Sequence, residues 1–218
     1  MLPPDPDLPL LHNRNYDVDS YMEAPNRIRL RGTVRDEKPA GLYIPEDPDP
    51  LTIHHMIVDL VVEVPSMEIV DAEVVFETHP HAECTRITDH YRGLIGISIA
   101  RGFTHKVREL FGGPRGCTHT TALLQAMAPV AIQSMWSLQA AVARAEGAEP
   151  VPSPRRLTDE ERTARYARNI NTCHVWDSDG ELVERLESGE EMEPPVWIVE
   201  RFESLGLDPA EWLSPMRG

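Results

Sequence analysis

Hydrophobic and polar positions alternate with a period of two through the middle of the chain. From Thr52 to Val64, His54, Met56, Val58, Leu60, Val62 and Val64 fall on one face, with Asp59 and Glu63 on the other. From Glu68 to His79, Val70, Ala72, Val74 and Phe76 share a face, and Asp71, Glu73 and Glu77 oppose it. Pro65-Ser66-Met67 separates the two runs, so they predict an antiparallel hairpin with one buried face and one wet face. Arg27 to Val34 alternates in the same way and predicts a further strand.

The pattern then changes. Asp89 to Ile99 and Thr104 to Phe111 read as short helices separated by Arg101-Gly102. Thr118 to about Glu146 is rich in Ala, Leu, Gln and Met and predicts a long central helix, with Pro129 inside it as a kink. Thr158-Asp159-Glu160-Glu161 has the form of a capping box opening a polar helix through Arg168. Asn171 to Trp176 reads as a short strand and Asp177 to Gly180 as a turn. The class is α+β: a small antiparallel sheet with a long central helix and shorter helices mainly on one face.

Composition sets the divisions. The 218 residues fit one domain with appended segments. Residues 1–26, rich in Pro and Asp, read as an N-terminal arm, 27–180 as a single domain and 181–218 as a C-terminal tail. Such an arm can wrap a neighbouring subunit, which would make the protein a homo-oligomer. The net charge of −15, from 21 basic and 36 acidic residues, speaks against nucleic acid or an anionic membrane as partner. No apolar run reaches the roughly 18–20 residues of a membrane span. The N-terminus lacks the pattern of a secretory leader, and three cysteines form no CxxC pair, so a cytoplasmic location is expected.

The chemistry concentrates at Gly112-Gly113-Pro114-Arg115-Gly116-Cys117-Thr118-His119. This glycine-rich corner runs into the long helix and places Cys117 near its N-terminus, where backbone N–H groups and the helix dipole favour an anion. A thiol there is expected to ionise readily, and His119 stands ready as its base. Gly113, Arg115 and Gly116 are candidates to hold substrate through the loop backbone. Alternation also puts His54 on the apolar face, whereas His55 points away. The hairpin brings His54 towards the exit leading to His79, His81 and Cys84. Cys173 and His174 follow later in the chain.

Two chemistries compete. In one, Cys84, Cys117, His119, Cys173 and His174 ligate Zn²⁺ or Fe. In the other no metal is involved, and Cys117, His119 and His54 act as nucleophile and acid/base beside an oxyanion site in the Gly112–Gly116 backbone. Asp36-Glu37-Lys38, after the first strand, reads as a solvated turn from which a carboxylate could face the site. Trp136, Trp176, Met127 and Met135 offer apolar walls or core packing. Arg162, Arg165 and Arg168 form a basic stripe suited to ion pairs, and Asp177 to Gly180 lacks the ligands of a calcium loop.

Several of these segments, in this order, resemble the bacterial domain-of-unknown-function 2889 family. They are His54-His55-Met56, Glu68 to Ala72, Cys84, Gly93 to Gly96, Gly102-Phe103, the Gly112-to-His119 run and Cys173-His174, spanning roughly residues 27–180. A weaker likeness of plan is to iron–sulfur scaffold proteins of the IscU type, which implies Cys84, Cys117 and Cys173 as thiolate ligands with His174 beside them. The expectation is a small-molecule enzyme, a lyase or hydrolase acting on a carbonyl or aromatic compound. The alternative is a non-catalytic metal or iron–sulfur carrier.

Overall fold

The computed structural model describes residues 6–147, 158, 160, 166–167, 169–190 and 193–209. Four antiparallel strands form one sheet in sequence order: β1 (Asn13–Ala24), β2 (Arg27–Lys38), β3 (Leu51–Glu63) and β4 (Glu68–Thr78). A 3₁₀ segment (Ala82–Leu94), α1 (Phe103–Phe111) and α2 (Thr118–Ala145) follow. Residues 1–146 make one unit and 147–218 a second. The expected α+β plan, with its hairpin and long helix, is what the chain forms.

Alternation decides the buried face. Along β2, Ile28, Leu30, Gly32, Val34 and Asp36 point inward, and each lies opposite an inward residue of β3: Val62, Leu60, Val58, Met56 and His54. Helix α2 covers this face. A Cβ on Gly32 would lie 2.8 Å from Met127 Sδ and 3.1 Å from Leu123 Cδ1, so a bare backbone is what lets the helix settle on the sheet. The opposite face carries a charge ladder in which Asp59 accepts from both Arg29 and Arg31.

Several expectations change. The arm read over residues 1–26 becomes a paired strand from Asn13, because its polar residues line an edge and need no burial. In β4 it is Ile69, not Val70, that reaches the core. A register shift between Val61 and Val62 leaves Val70 as the extra residue. The helix expected over 89–99 forms earlier, as the 3₁₀ segment, while Gly96 to Ile99 bonds to Met67 and Ile69 at the start of β4. The single domain expected over 27–180 divides at residue 146.

In the second unit, Asn171 to Trp176 is not a strand. Asn171 takes a left-handed backbone (φ 62°) and its N–H bonds to the carbonyl of Trp176, closing a loop around the single 3₁₀ turn His174–Trp176. The Asp177–Gly180 turn forms as expected, with the Asp179 N–H donating to Asp177 Oδ1, and leads into α3 (Glu181–Glu187). Helix α4 (Val196–Ser204) follows. The capping box at 158–161 and the stripe Arg162, Arg165 and Arg168 lie largely or wholly outside the described residues. No described helix is long and apolar enough to cross a membrane.

Candidate functional site

At one end of the sheet, a row of cross-strand neighbours carries polar side chains where every other inward row is mostly apolar. Arg14 on β1 pairs with Asp36 on β2, and Asp36 pairs with His54 on β3. A register shift immediately after Asp36 leaves Ile53 as the extra residue of β3. Such a bulge bends the strand and re-aims the side chain next to it. The start of α2 lies over the same row and brings Cys117 and His119 to it.

Asp36 is the centre. It is buried, with a side chain only 2% exposed. Arg14 grips it with two hydrogen bonds, Nε to Oδ1 and Nη2 to Oδ2 at 2.6 Å. His119 Nε2 lies 3.1 Å and His54 Nδ1 3.2 Å from Oδ2, while His12 Nε2 is 3.5 Å from Oδ1. Burial alone would push the carboxyl up, but the Arg14 bonds and charge override it and hold Asp36 at about 2. The carboxylate raises Arg14 in turn.

His119 has a partner at each nitrogen. On the edge away from Asp36, its Nδ1 lies 3.6 Å from Cys117 Sγ. Its ring stacks on His54 with centroids 3.9 Å apart. Burial and then the neighbouring His54 lower its pKa, against the pull of Asp36, so the imidazole favours the neutral form. A neutral His119 that donates from Nε2 to Asp36 has its lone pair on Nδ1, facing the thiol.

The backbone at this corner is committed. Cys117 caps α2, and its N–H donates to Tyr91 Oη at 2.7 Å. Buried Tyr91 stacks on Phe111, and burial raises its pKa. The Gly116 N–H bonds to the Gly113 carbonyl. The Gly112, Arg115 and Gly116 N–H groups of the loop expected to serve an oxyanion are bonded to backbone carbonyls. Thr118, His119 and Thr120 precede the first intrahelical bond, Thr121 N–H to Cys117 carbonyl, and their N–H groups find no carbonyl within α2.

The residues expected to hold substrate have packing roles. Arg115 donates to the carbonyls of Glu109 and Arg108 at the end of α1. Gly116 sits where a Cβ would meet the Phe111 carbonyl at 2.4 Å, and Gly113 takes a positive φ of 60°. Met127 and Met135 are core residues. Trp136 is half-buried on α2, and Trp176 stacks on Tyr166 in the second unit.

Of the expected metal ligands, His119 belongs to a compact group of donor atoms. Among the described residues, the three-ligand group with donor atoms within 4.8 Å of one another is Asp36, His54 and His119. Cys84 packs partly buried against the core at the 3₁₀ segment, and exposed Cys173 caps the His174–Trp176 turn. His79 Nδ1 bonds to the His81 carbonyl. Asp36, read as part of a solvated turn, is the residue most underweighted by the sequence. Arg14 and His12, within the supposed arm, were missed altogether.

Residues 12–133 match a sequence family described as a protein of unknown function (DUF2889), and that span exceeds half of the chain. The chain belongs to this family. The match begins at His12 and ends inside α2, earlier at both ends than the expected 27–180, and it includes every residue of the Asp36 cluster. No curated protein and no solved structure matches. The likeness to iron–sulfur scaffolds gains nothing from these comparisons, and the donor group of Asp36, His54 and His119 holds no cysteine.

Proposed function

We propose that this DUF2889 protein is an enzyme that attacks the carbonyl carbon of a small acyl compound with the Cys117 thiol, a hydrolase in reaction class. One observation carries the reading: His119 bridges Cys117 Sγ at 3.6 Å and Asp36 Oδ2 at 3.1 Å through opposite ring nitrogens. Asp36 holds the proton on Nε2, Nδ1 accepts the thiol proton, and sulfur adds to the carbonyl. The developing oxyanion is served by the first-turn N–H groups of α2 and by its dipole. His119 then returns the proton to the leaving group, and water, activated by the same imidazole, hydrolyses the thioester. Three unpaired thiols suit a reducing compartment, which supports a cytoplasmic location.

The test uses the three cysteines as internal controls. Half-buried Cys117 should be alkylated by iodoacetamide faster than exposed Cys173, an order that access alone would reverse. His119→Gln should erase that advantage, with site-by-site rates read by peptide mass mapping. A panel of activated esters and thioesters should leave an acyl group on Cys117 that Cys117→Ala abolishes. Turnover retained in Cys117→Ala, or Cys117 reacting no faster than Cys173, would overturn the reading.

A further inference from the structure

We infer that Asp36, His54 and His119 also form a binding site for a divalent transition ion of the zinc class, and that this ion switches the Cys117 thiol off. The inference rests on the proposed thiol chemistry. The donor set comes first: two imidazoles and a carboxylate, with Oδ2 of Asp36 3.2 Å from His54 Nδ1 and 3.1 Å from His119 Nε2. Zinc bound by such ligands at about 2.0–2.1 Å places neighbouring donors of a tetrahedron about 3.3 Å apart. Two of the three donor pairs therefore stand near coordination spacing, and all three atoms lie within 4.8 Å of one another.

The switch follows from the two edges of His119. Cys117 lies on the Nδ1 edge and the proposed ion on the Nε2 edge. A neutral imidazole metallated at Nε2 carries its proton on Nδ1. That proton occupies the lone pair that would accept from the thiol, so ion binding and base function exclude each other. Arg14 makes the ion a reversible ligand rather than a resident one. The guanidinium already neutralises Asp36, so a dication adds charge that the cluster does not balance.

The full chain, freed of metal, is titrated with Zn²⁺ against a chromogenic chelator. Cys117 alkylation is followed at one neutral pH with and without saturating Zn²⁺. One ion per chain is expected, with alkylation slowed at least about a hundredfold, the low end of what a lost general base costs, and restored by EDTA. His54→Ala should weaken zinc by at least about 10–100-fold, and at a zinc concentration that half-saturates the wild type its ratio of alkylation rates without and with zinc should fall to about one whatever the basal rate. His54→Asn serves as the second variant if His54→Ala does not keep the wild-type circular dichroism. No stoichiometric zinc, faster alkylation with zinc, or binding lost in Cys117→Ser but kept in the His54 variants would overturn the inference. Failure of the thiol reading shows separately, as metal-free His119→Gln alkylating at the wild-type rate.

Discussion

Replacing Asp36 by Asn keeps the shape of the side chain and removes the charge at the centre of the site. Asp36 ionises at about 2 in the folded protein against an ordinary 3.8, a difference that amounts to about 2–3 kcal/mol of stability at neutral pH. The side chain is 2% exposed, so solvent screening discounts little of this. The sign is fixed by the depressed value. The contribution is complete above about pH 4 and is lost as pH falls through about 2. Urea unfolding followed by circular dichroism, at several pH values from 7 down to 2, should show Asp36→Asn about 2–3 kcal/mol less stable than wild type at pH 7. The gap should shrink to about 0.4 kcal/mol at pH 2, where wild-type Asp36 is half protonated. A gap that persists unchanged at pH 2 would mean that Asn disrupts packing rather than charge. A gap below about 1 kcal/mol at pH 7 would mean that the Arg14 pair does not offset the cost of burying the carboxylate.

Three further outcomes are expected. The depressed pKa of His119 keeps it a free base at neutral pH, so its ring signals in an NMR titration should move below the ordinary imidazole range of about 6.5; a midpoint at or above that value would contradict it. Gly32→Ala should cost about 1–3 kcal/mol in urea unfolding, because its Cβ would press Met127 Sδ at 2.8 Å, and Met127→Ala in the same chain should recover part of that loss rather than add to it. Tyr91→Phe removes the acceptor of the Cys117 N–H at 2.7 Å and should destabilise by about 1–3 kcal/mol, with Cys117 alkylation reporting whether the thiol still faces His119.

The charge of the cluster explains why two histidines can share one carboxylate. Arg14 offsets part of the pull of Asp36 on the His119 ring. His54, its ring 3.9 Å away, also disfavours the cation on His119. The arrangement suits proton acceptance by a neutral imidazole, which is what the proposed attack by Cys117 needs at the start of its cycle. Without Arg14, the carboxylate would draw a proton onto one ring and block Nδ1 or displace its partner. In the proposed mechanism Arg14 is a positioning residue, although it lies on the edge strand furthest from the hairpin.

The hairpin, the long helix and the Cys117–His119 corner were legible because each rests on a local signal: period-two alternation, a run of helix formers, or glycines at a turn. The centre of the site was legible in part. Ile28, Leu30, Gly32 and Val34 alternate inward, and one more step of the same period lands on Asp36. A carboxylate at an inward position is the signal that local polarity hid, because Asp36-Glu37-Lys38 taken alone has the composition of a turn. His54 was found by that argument on β3, and its register partner follows from the strand pairing. Arg14 and His12 carried no such signal. Strand β1 lies at the sheet edge with neither face buried, so its polar sequence matches that of a solvated arm, and only pairing with β2 brings Arg14 opposite Asp36. A buried acid on an otherwise apolar strand face needs a cation from a neighbouring element, and the adjacent strand is the first place to seek it.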